Sequence, residues 1–398
     1  MLNPLNNFVS YIYYMQGLIK HLITAYGGES FYIANMSLLN KKISLWKEVL
    51  PNIRPFYAMK CNPNEHIMKY MMHNGFGFDA ASKKEIDMAI NIGAHASTDI
   101  IYAHPVKAIK DIKYAINKGV SLSTFDSISE VEKISHCNNT TNNTSNKLGG
   151  LLRLRVDNPS ARIDLGLKYG VDTTEYKEIL NRAHNLGIDV RGVCFHVGSA
   201  SGDPMIFKEA LSFSRRVIEH GRRLGYDMDV LDVGGGFTSK GFIDCAKVIR
   251  NELEKTGLED VKKIIAEPGR YFVEDVFTFY IPIIGQKVKA CKNEYWISDS
   301  LYGSFNCILY DDQIPKFDIV RNQDASNQTN TQGIILYPSV IHGITCDSRD
   351  TLEKNIMLPK LENGDYFFVK NFGAYTIAGA CNFNGINMVN PNVFYYNE

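Results

Sequence analysis

Short apolar runs alternating with helical patterns constrain the fold of this chain more than any other feature. Runs at 31–34, 56–59, 75–79, 100–103, 120–125, 151–156, 190–197, 230–233 and 264–267 each suit a buried strand. Between them, apolar residues recur at helical spacing: Leu38, Leu39 and Ile43 on to Leu50; Ile67, Met68, Met71 and Met72; Ile86 with Met88, Ala89 and Ile90 over 83–91. A strand–helix beat sustained over roughly 250 residues fits an α/β fold of the (β/α)8 TIM-type barrel class better than an open sheet. After about Tyr271 the pattern changes. Runs at 273–284, 295–298, 334–337 and 366–369 are strand-like, split by turns, with few helical stretches. The reading is a barrel over 36–276 and a second, mainly β domain assembled from 1–35 and 277–398. A chain of 398 residues, 45% hydrophobic, has enough apolar material for both cores.

Lys+Arg and Asp+Glu are 43 each, so no overall field draws in nucleic acid or an anionic membrane. The stretch 1–23 is interrupted by Asn and Gln and lacks a basic start, which argues against a secretory signal or a membrane span. Eight scattered cysteines show no CxxC pair and no metal-ligand spacing. They predict free thiols in a reducing, cytoplasmic setting and no metal centre. Polar stretches at 137–147, with Asn-x-Ser/Thr sequons, and at 321–332 read as disordered surface insertions.

The chemistry-bearing residues fall where the expected barrel strands end, the face on which sites of this fold assemble. Lys60 follows the run 55–59 and precedes Cys61-Asn62-Pro63, which cannot continue a strand; a buried amine there is placed to lose its proton and attack a carbonyl. Asp79, Arg153 and His196 fall toward the ends of three further expected strands. Gly234-Gly235-Gly236 can turn successive amides toward a phosphate, although a lone triple glycine is more often a tight turn. Glu267 could keep a pyridine nitrogen protonated, and Arg270 could pair with phosphate. An internal Glu–Arg ion pair would also account for these two residues. His196 could stack on a flat ring, and Ser199 could donate to phosphate.

In the second domain, Tyr302, Asp311, Asp347 and Tyr375 place polar groups among apolar runs. The two aspartates are candidates for a cationic substrate end. Cys346 is a candidate proton donor or nucleophile.

Together these motifs resemble the eukaryotic ornithine decarboxylases, within the barrel-type basic amino acid decarboxylases that use pyridoxal 5'-phosphate. The resemblance runs from about Ser30 to Tyr396 and is dense at PFYAMKCN, GFDAASKKEI, IIYAHPVK, TFDS, FHVGSAS, DVGGGF, EPGRYFV, YGSFNCILYDD, TCDSRD and GAYTIAGA. It implies pyridoxal 5'-phosphate as cofactor, with Lys60 as the Schiff-base lysine, Glu267 on the ring nitrogen and His196 on the ring face. Ser199, Gly235, Gly236, Arg270 and Tyr375 would hold the phosphate, and Asp79, Glu85 and Arg153 would support the pocket. Asp311 and Asp347, with Tyr302 beside them, would bind the distal ammonium of ornithine, and Cys346 would return a proton after carbon dioxide leaves. The product is putrescine, which starts polyamine biosynthesis. The resemblance further implies a homodimer with shared active sites, Lys60 from one subunit and Cys346 with Asp347 from the other, bridged by Lys168 and Asp350.

Some features depart from the animal enzymes: Ser298-Asp299-Ser300 replaces an Asn-Asp-Gly turn, the Asn-rich stretch expands a loop, and no long degradation tail follows the fold. The segment 103–119 corresponds to their antizyme-binding region and carries Lys107, Lys110, Lys113 and Lys118. A solvated helix face accounts for those lysines better, and sequence leaves antizyme binding undecided. The alternatives are a lysine or arginine decarboxylase of the same family, or a non-catalytic antizyme-inhibitor-like binding protein, against which Lys60, Arg270, Glu267, Cys346 and Asp347 all argue. An alanine racemase relative is disfavoured by the Cys346-Asp347 pair.

Overall fold

A computed structural model describes residues 4–141, 146–321 and 335–397, apart from the side chains of 4–14. The chain divides into two compact units, one of Leu38–Glu274 and one of Met1–Ser37 with Asp275–Glu398.

Strand β1 (Phe31–Asn35) belongs to the second of these and leads into the helix Met36–Val49. The larger unit is a closed barrel of parallel strands, β2 (Ile53–Ala58), β3 (Gly77–Ala80), β4 (Ile100–Tyr102), β5 (Leu122–Phe125), β6 (Gly149–Leu154), β7 (Val190–Phe195), β8 (Val230–Asp232) and β9 (Lys263–Ala266). β9 pairs back onto β2. Strands buried on both faces need continuous apolar sequence, which is why these runs stood out. Phe56, Ile101, Leu122, Leu151, Cys194, Val230 and Ile265 fill the barrel interior from seven different strands. Two glycines make room for large neighbours: a Cβ on Gly77 would meet the Phe56 ring at 2.6 Å, and one on Gly150 would meet the Phe125 ring at 2.5 Å. Each buried phenylalanine stabilises by roughly 1.5–3 kcal/mol.

Several strands are followed by a capped helix, which fixes where the chain turns back. Asn64, Ser82 and Ser127 accept hydrogen bonds from the N–H groups of Ile67, Glu85 and Glu130 at the starts of Glu65–His73, Lys83–Asn91 and Ile128–Thr140. Glu130 also meets the fully buried Lys107 at 2.9 Å, and Lys107 donates to the carbonyls of His104 and Thr124, each at 2.8 Å. Lys107 thus clamps the chain just beyond β4 to the end of β5. It does not share the solvated face expected for the lysines of 103–119. Burial, opposed by Glu130, brings the Lys107 ammonium down to about 8. Lys107→Ala is expected to cost about 1–3 kcal/mol, because the His104 and Thr124 carbonyls lose a buried donor while Glu130 keeps Lys133 at 2.5 Å. The urea midpoint would fall with the slope unchanged.

The smaller unit is an eight-stranded sheet that adds β10 (Phe277–Lys289), β11 (Lys292–Ile297), β12 (Asp318–Val320), β13 (Tyr337–His342), β14 (Thr351–Leu358), β15 (Tyr366–Val369) and β16 (Asn392–Tyr396) to β1. Its order is β12-β15-β10-β11-β13-β14, with β1 antiparallel to β10 and parallel to β16. Leu22 and Ile23 of the helix Pro4–Ala25 join Phe31, Ile33, Tyr280 and Tyr366 in its core, where Phe31 stacks on Tyr280 at 5.1 Å. The register sets Phe31 opposite Tyr280 and Tyr32 opposite Phe279, the latter pair stacked at 4.2 Å, and a slip of one residue would turn every ring to the other face.

Several local expectations are corrected. Met59 and Lys60 lie in a single 3-10 turn, Met59–Cys61, beyond the end of β2. The run 273–284 opens with the last residue of a short helix, Arg270–Val273, and β10 begins only at Phe277. Residues 137–140, read as the start of a disordered insertion, belong to the helix Ile128–Thr140, where buried Val131, Ile134 and Cys137 outweigh the poor helix propensity of Asn and Thr. Residues 142–145 and 322–334 of the two polar stretches lie outside the described residues.

Candidate active site

The barrel places its chemistry at the carboxyl ends of the strands. The 3-10 turn carrying Lys60 is pinned where the Tyr57 hydroxyl donates to the Asn62 carbonyl at 3.0 Å. From that turn the Lys60 ammonium reaches Asp79 Oδ2 of β3 at 2.6 Å, with Asp79 1% exposed. Asp79 Oδ1 meets no donor among the described residues. Glu85 accepts the Ala81 N–H at 2.5 Å. Burial raises Glu85 above the usual carboxylate range, and Asp79 adds to the rise.

His196 follows β7 directly and accepts the Gly198 N–H on Nδ1 at 3.0 Å. Burial, then Arg153 and Lys60, hold the imidazole well below its ordinary value. The ring is therefore neutral, with its proton on Nε2. Arg153, near the end of β6, lies over the Tyr169 ring at 5.1 Å.

The loop after β8 forms a cradle. Gly234 and Gly236 have φ of +66° and +101°, a region that glycine enters without strain. A Cβ on Gly235 would meet His196 Nε2 at 2.6 Å and the Glu267 carbonyl at 2.7 Å. The N–H groups of Gly235 and Gly236 make no hydrogen bond among the described residues. Beside this loop Arg270, 5% exposed, donates to Ser199 Oγ at 3.0 Å. Glu267, just past β9, is buried, and its Oε1 meets no donor among the described residues. These are the parts that an anionic, aromatic, nitrogen-containing cofactor requires: free amides and a guanidinium for a phosphate, an imidazole face for a ring, and an unsatisfied carboxyl oxygen for a ring nitrogen.

The smaller unit gathers the other predicted residues. The Tyr302 hydroxyl donates to Asp347 Oδ2 at 2.6 Å, and the Arg349 N–H donates to Asp347 Oδ1 at 2.9 Å. The Tyr302 hydrogen bond, then those from Arg349, hold Asp347 down to about 2. Phe383 stacks on Tyr302 at 4.1 Å, and Asn384 Oδ1 accepts the Cys346 N–H at 3.0 Å, leaving the Cys346 side chain exposed. Asp311, 3% exposed, accepts from Gln313, which also donates to the Ala374 carbonyl beside Tyr375 at 2.7 Å. Asn306 ties the two groups together by donating to the carbonyls of Gly303 and Thr376. Asp350 accepts from Leu301 N, Thr345 N and Thr345 Oγ1 and is 2% exposed, so it staples its own loop.

Sequence reasoning missed Phe383 and Asn384, whose only signal is an aromatic–Asn–Gly turn. It also missed Asp232, which lies two residues before the glycine run. Asp299 entered only as part of a turn, yet it is 3% exposed and accepts the N–H groups of Ser300 and Ser304. It organises the loop that presents Tyr302. Burial, opposed by these N–H groups, pushes it up to about 7.

Residues 36–274 match the profile of the pyridoxal-dependent decarboxylases, pyridoxal binding domain, and the chain belongs to this family. It is 35% identical over 360 residues to the ornithine decarboxylase of Schizosaccharomyces pombe, covering 90% of this chain and 81% of that protein. It is 37% identical over 387 residues to the ornithine decarboxylase of Mus musculus, covering 92% and 80%. Among solved structures, the agmatine-bound arginine decarboxylase of Paramecium bursaria Chlorella virus superposes with a TM-score of 0.86 at 31% identity, covering 96% of this chain and 100% of that one.

Proposed function

We infer that the chain is a pyridoxal 5'-phosphate-dependent decarboxylase that converts L-ornithine to putrescine and carbon dioxide, acting in the cytoplasm. The observation that carries this reading is the Lys60–Asp79 pair at 2.6 Å beside a glycine cradle that has no room for a Cβ at Gly235. Similarity to ornithine decarboxylases over about nine-tenths of the chain supports the substrate. No helix among the described residues is long and apolar enough to cross a membrane.

Lys60 would hold the cofactor covalently, Ser199, Gly235, Gly236, Arg270 and Tyr375 its phosphate, His196 its ring face and Glu267 its ring nitrogen. An electron sink for the pair that carbon dioxide leaves behind is the chemistry this group supplies when bound. The chain's own residues do the rest. Asp79 and Arg153 hold Lys60 and the pocket in register. His196, being neutral, offers the leaving carboxylate no charge to stabilise it. Asp347 and Asp311, with Tyr302 orienting the former, bind the distal ammonium, and Cys346 holds a proton on Sγ for delivery to Cα. The enzyme works as a homodimer in which Cys346 and Asp347 of one subunit serve Lys60 of the other.

Substrate choice is tested by measuring carbon dioxide release from ornithine, lysine and arginine side by side. Ornithine should have the highest kcat/KM; a preference for arginine would overturn the assignment and favour the reading suggested by the viral structure. Asp347→Asn should raise KM for ornithine about tenfold or more, the worth of a hydrogen bond to a charged group. A group held at about 2 is already ionised wherever the enzyme is folded. The acid limb of the kcat/KM profile should therefore keep the same apparent pKa in this variant.

A further inference from the structure

Asp232, at the end of β8, is fully buried in the barrel mouth. Its Oδ1 accepts the Gly234 N–H at 2.8 Å, and its Oδ2 meets no backbone or basic donor among the described residues. Pairing of β8 with β9 sets it beside Glu267: Val233 N–H donates to the Ile265 carbonyl at 2.9 Å, and Glu267 N–H to the Gly234 carbonyl at 2.7 Å. Asp232 is in register with Ile265 of β9, so Asp232 and Glu267, two residues further on, lie on the same face of the barrel wall, and Asp232 Oδ2 and Glu267 Oε1 both meet no donor among the described residues. Asp79, Lys60, Arg153, Cys194 and the neutral His196 complete the ionisable surroundings. Two buried carboxyls side by side, each with an oxygen that no donor among the described residues reaches, do not both ionise in the apo-protein; one proton belongs to the pair.

We infer that Asp232 is a positioning residue that keeps this proton on Glu267, so that Glu267 enters the cofactor pocket as a carboxylic acid backed by a carboxylate. The inference rests on the cofactor assignment made above. Burial raises both carboxyls above the carboxylate range, but the Gly234 N–H stabilises a charge on Asp232, whereas Glu267 Oε1 has no such donor among the described residues. The proton therefore resides on Glu267. Glu267 would pass this proton to a bound cofactor's ring nitrogen, and the cation so formed beside the pair would allow both carboxyls to ionise with the total proton count unchanged. Glu267 without Asp232 ionises more readily, and the nitrogen must then take its proton from solvent.

The test compares the affinity of the apo-protein for pyridoxal 5'-phosphate with its affinity for 1-deaza-pyridoxal 5'-phosphate, which lacks the ring nitrogen, by equilibrium dialysis at pH 6 and pH 8. In wild type the ratio of the two affinities should be the same at both pH values. In Asp232→Asn the ratio should fall about tenfold at pH 8, one pKa unit of lost proton affinity, and less at pH 6. An unchanged ratio, or an equal loss for both ligands, overturns the positioning role while leaving the cofactor assignment intact. Failure of wild type to bind either ligand overturns both. Independently of how Asp232→Asn folds, infrared spectra of the wild-type apo-protein at pH 7 should contain a carboxylic-acid carbonyl band that Glu267→Gln removes. Absence of that band overturns the inference.

Discussion

Lys60→Ala is expected to lower ornithine decarboxylation on the order of 10^4-fold, the upper range for loss of a positioned catalytic group. The magnitude follows from the site. Asp79, 1% exposed, sits 2.6 Å from the amine, and its other oxygen meets no donor among the described residues. Lys107 is not free to substitute, because it is engaged by Glu130 and two carbonyls. Borohydride reduction followed by peptide mapping should label the Lys60 peptide in wild type and nothing in the variant. Decarboxylation retained within about tenfold of wild type would refute Lys60 as the attachment residue.

Cys346→Ala should lose about 10^2–10^4-fold in kcat, the usual worth of a positioned proton donor, with KM for ornithine little changed. The fold of the loop should survive, since Asn384 holds Cys346 through its backbone N–H rather than its thiol. Mixing this variant with Lys60→Ala provides the sharper result. In a symmetric dimer with shared sites, random pairing makes half the dimers mixed, and each mixed dimer regains one intact site of two. Activity should return to roughly one quarter of wild type. Subunit exchange demonstrated by mass, without recovery of activity, would show that each subunit completes its own site.

The barrel was legible because parallel strands buried on both faces must be nearly continuous apolar runs, and each here is followed by a helical period. Lys60, His196 and Glu267 were legible for a related reason: a polar residue that ends such a run is conspicuous. Boundaries were less so. Met59 is as apolar as the strand before it, and only the backbone shows that the chain has already turned at that point. In the smaller unit, β14 escaped notice because its buried and exposed positions do not alternate cleanly. Lys107, expected on a solvated helix face, lies before the helix Ile109–Lys118 and is fully buried, since a buried ammonium is indistinguishable in sequence from a solvated one.

The sequence by itself determined the fold class and offered the residue types of the candidate site, because hydrophobic periodicity and the chemistry of the strand ends are local properties of the chain. Only the tertiary structure decided which charges meet. Asp232 lies 35 residues before Glu267 in the chain, and the pairing of β8 with β9 sets them on the same face of the barrel wall. Tyr302 and Asp347 are separated by 45 residues, and the fold brings them to 2.6 Å. Protonation state depends on burial and on neighbours in space, and neither can be read along the chain.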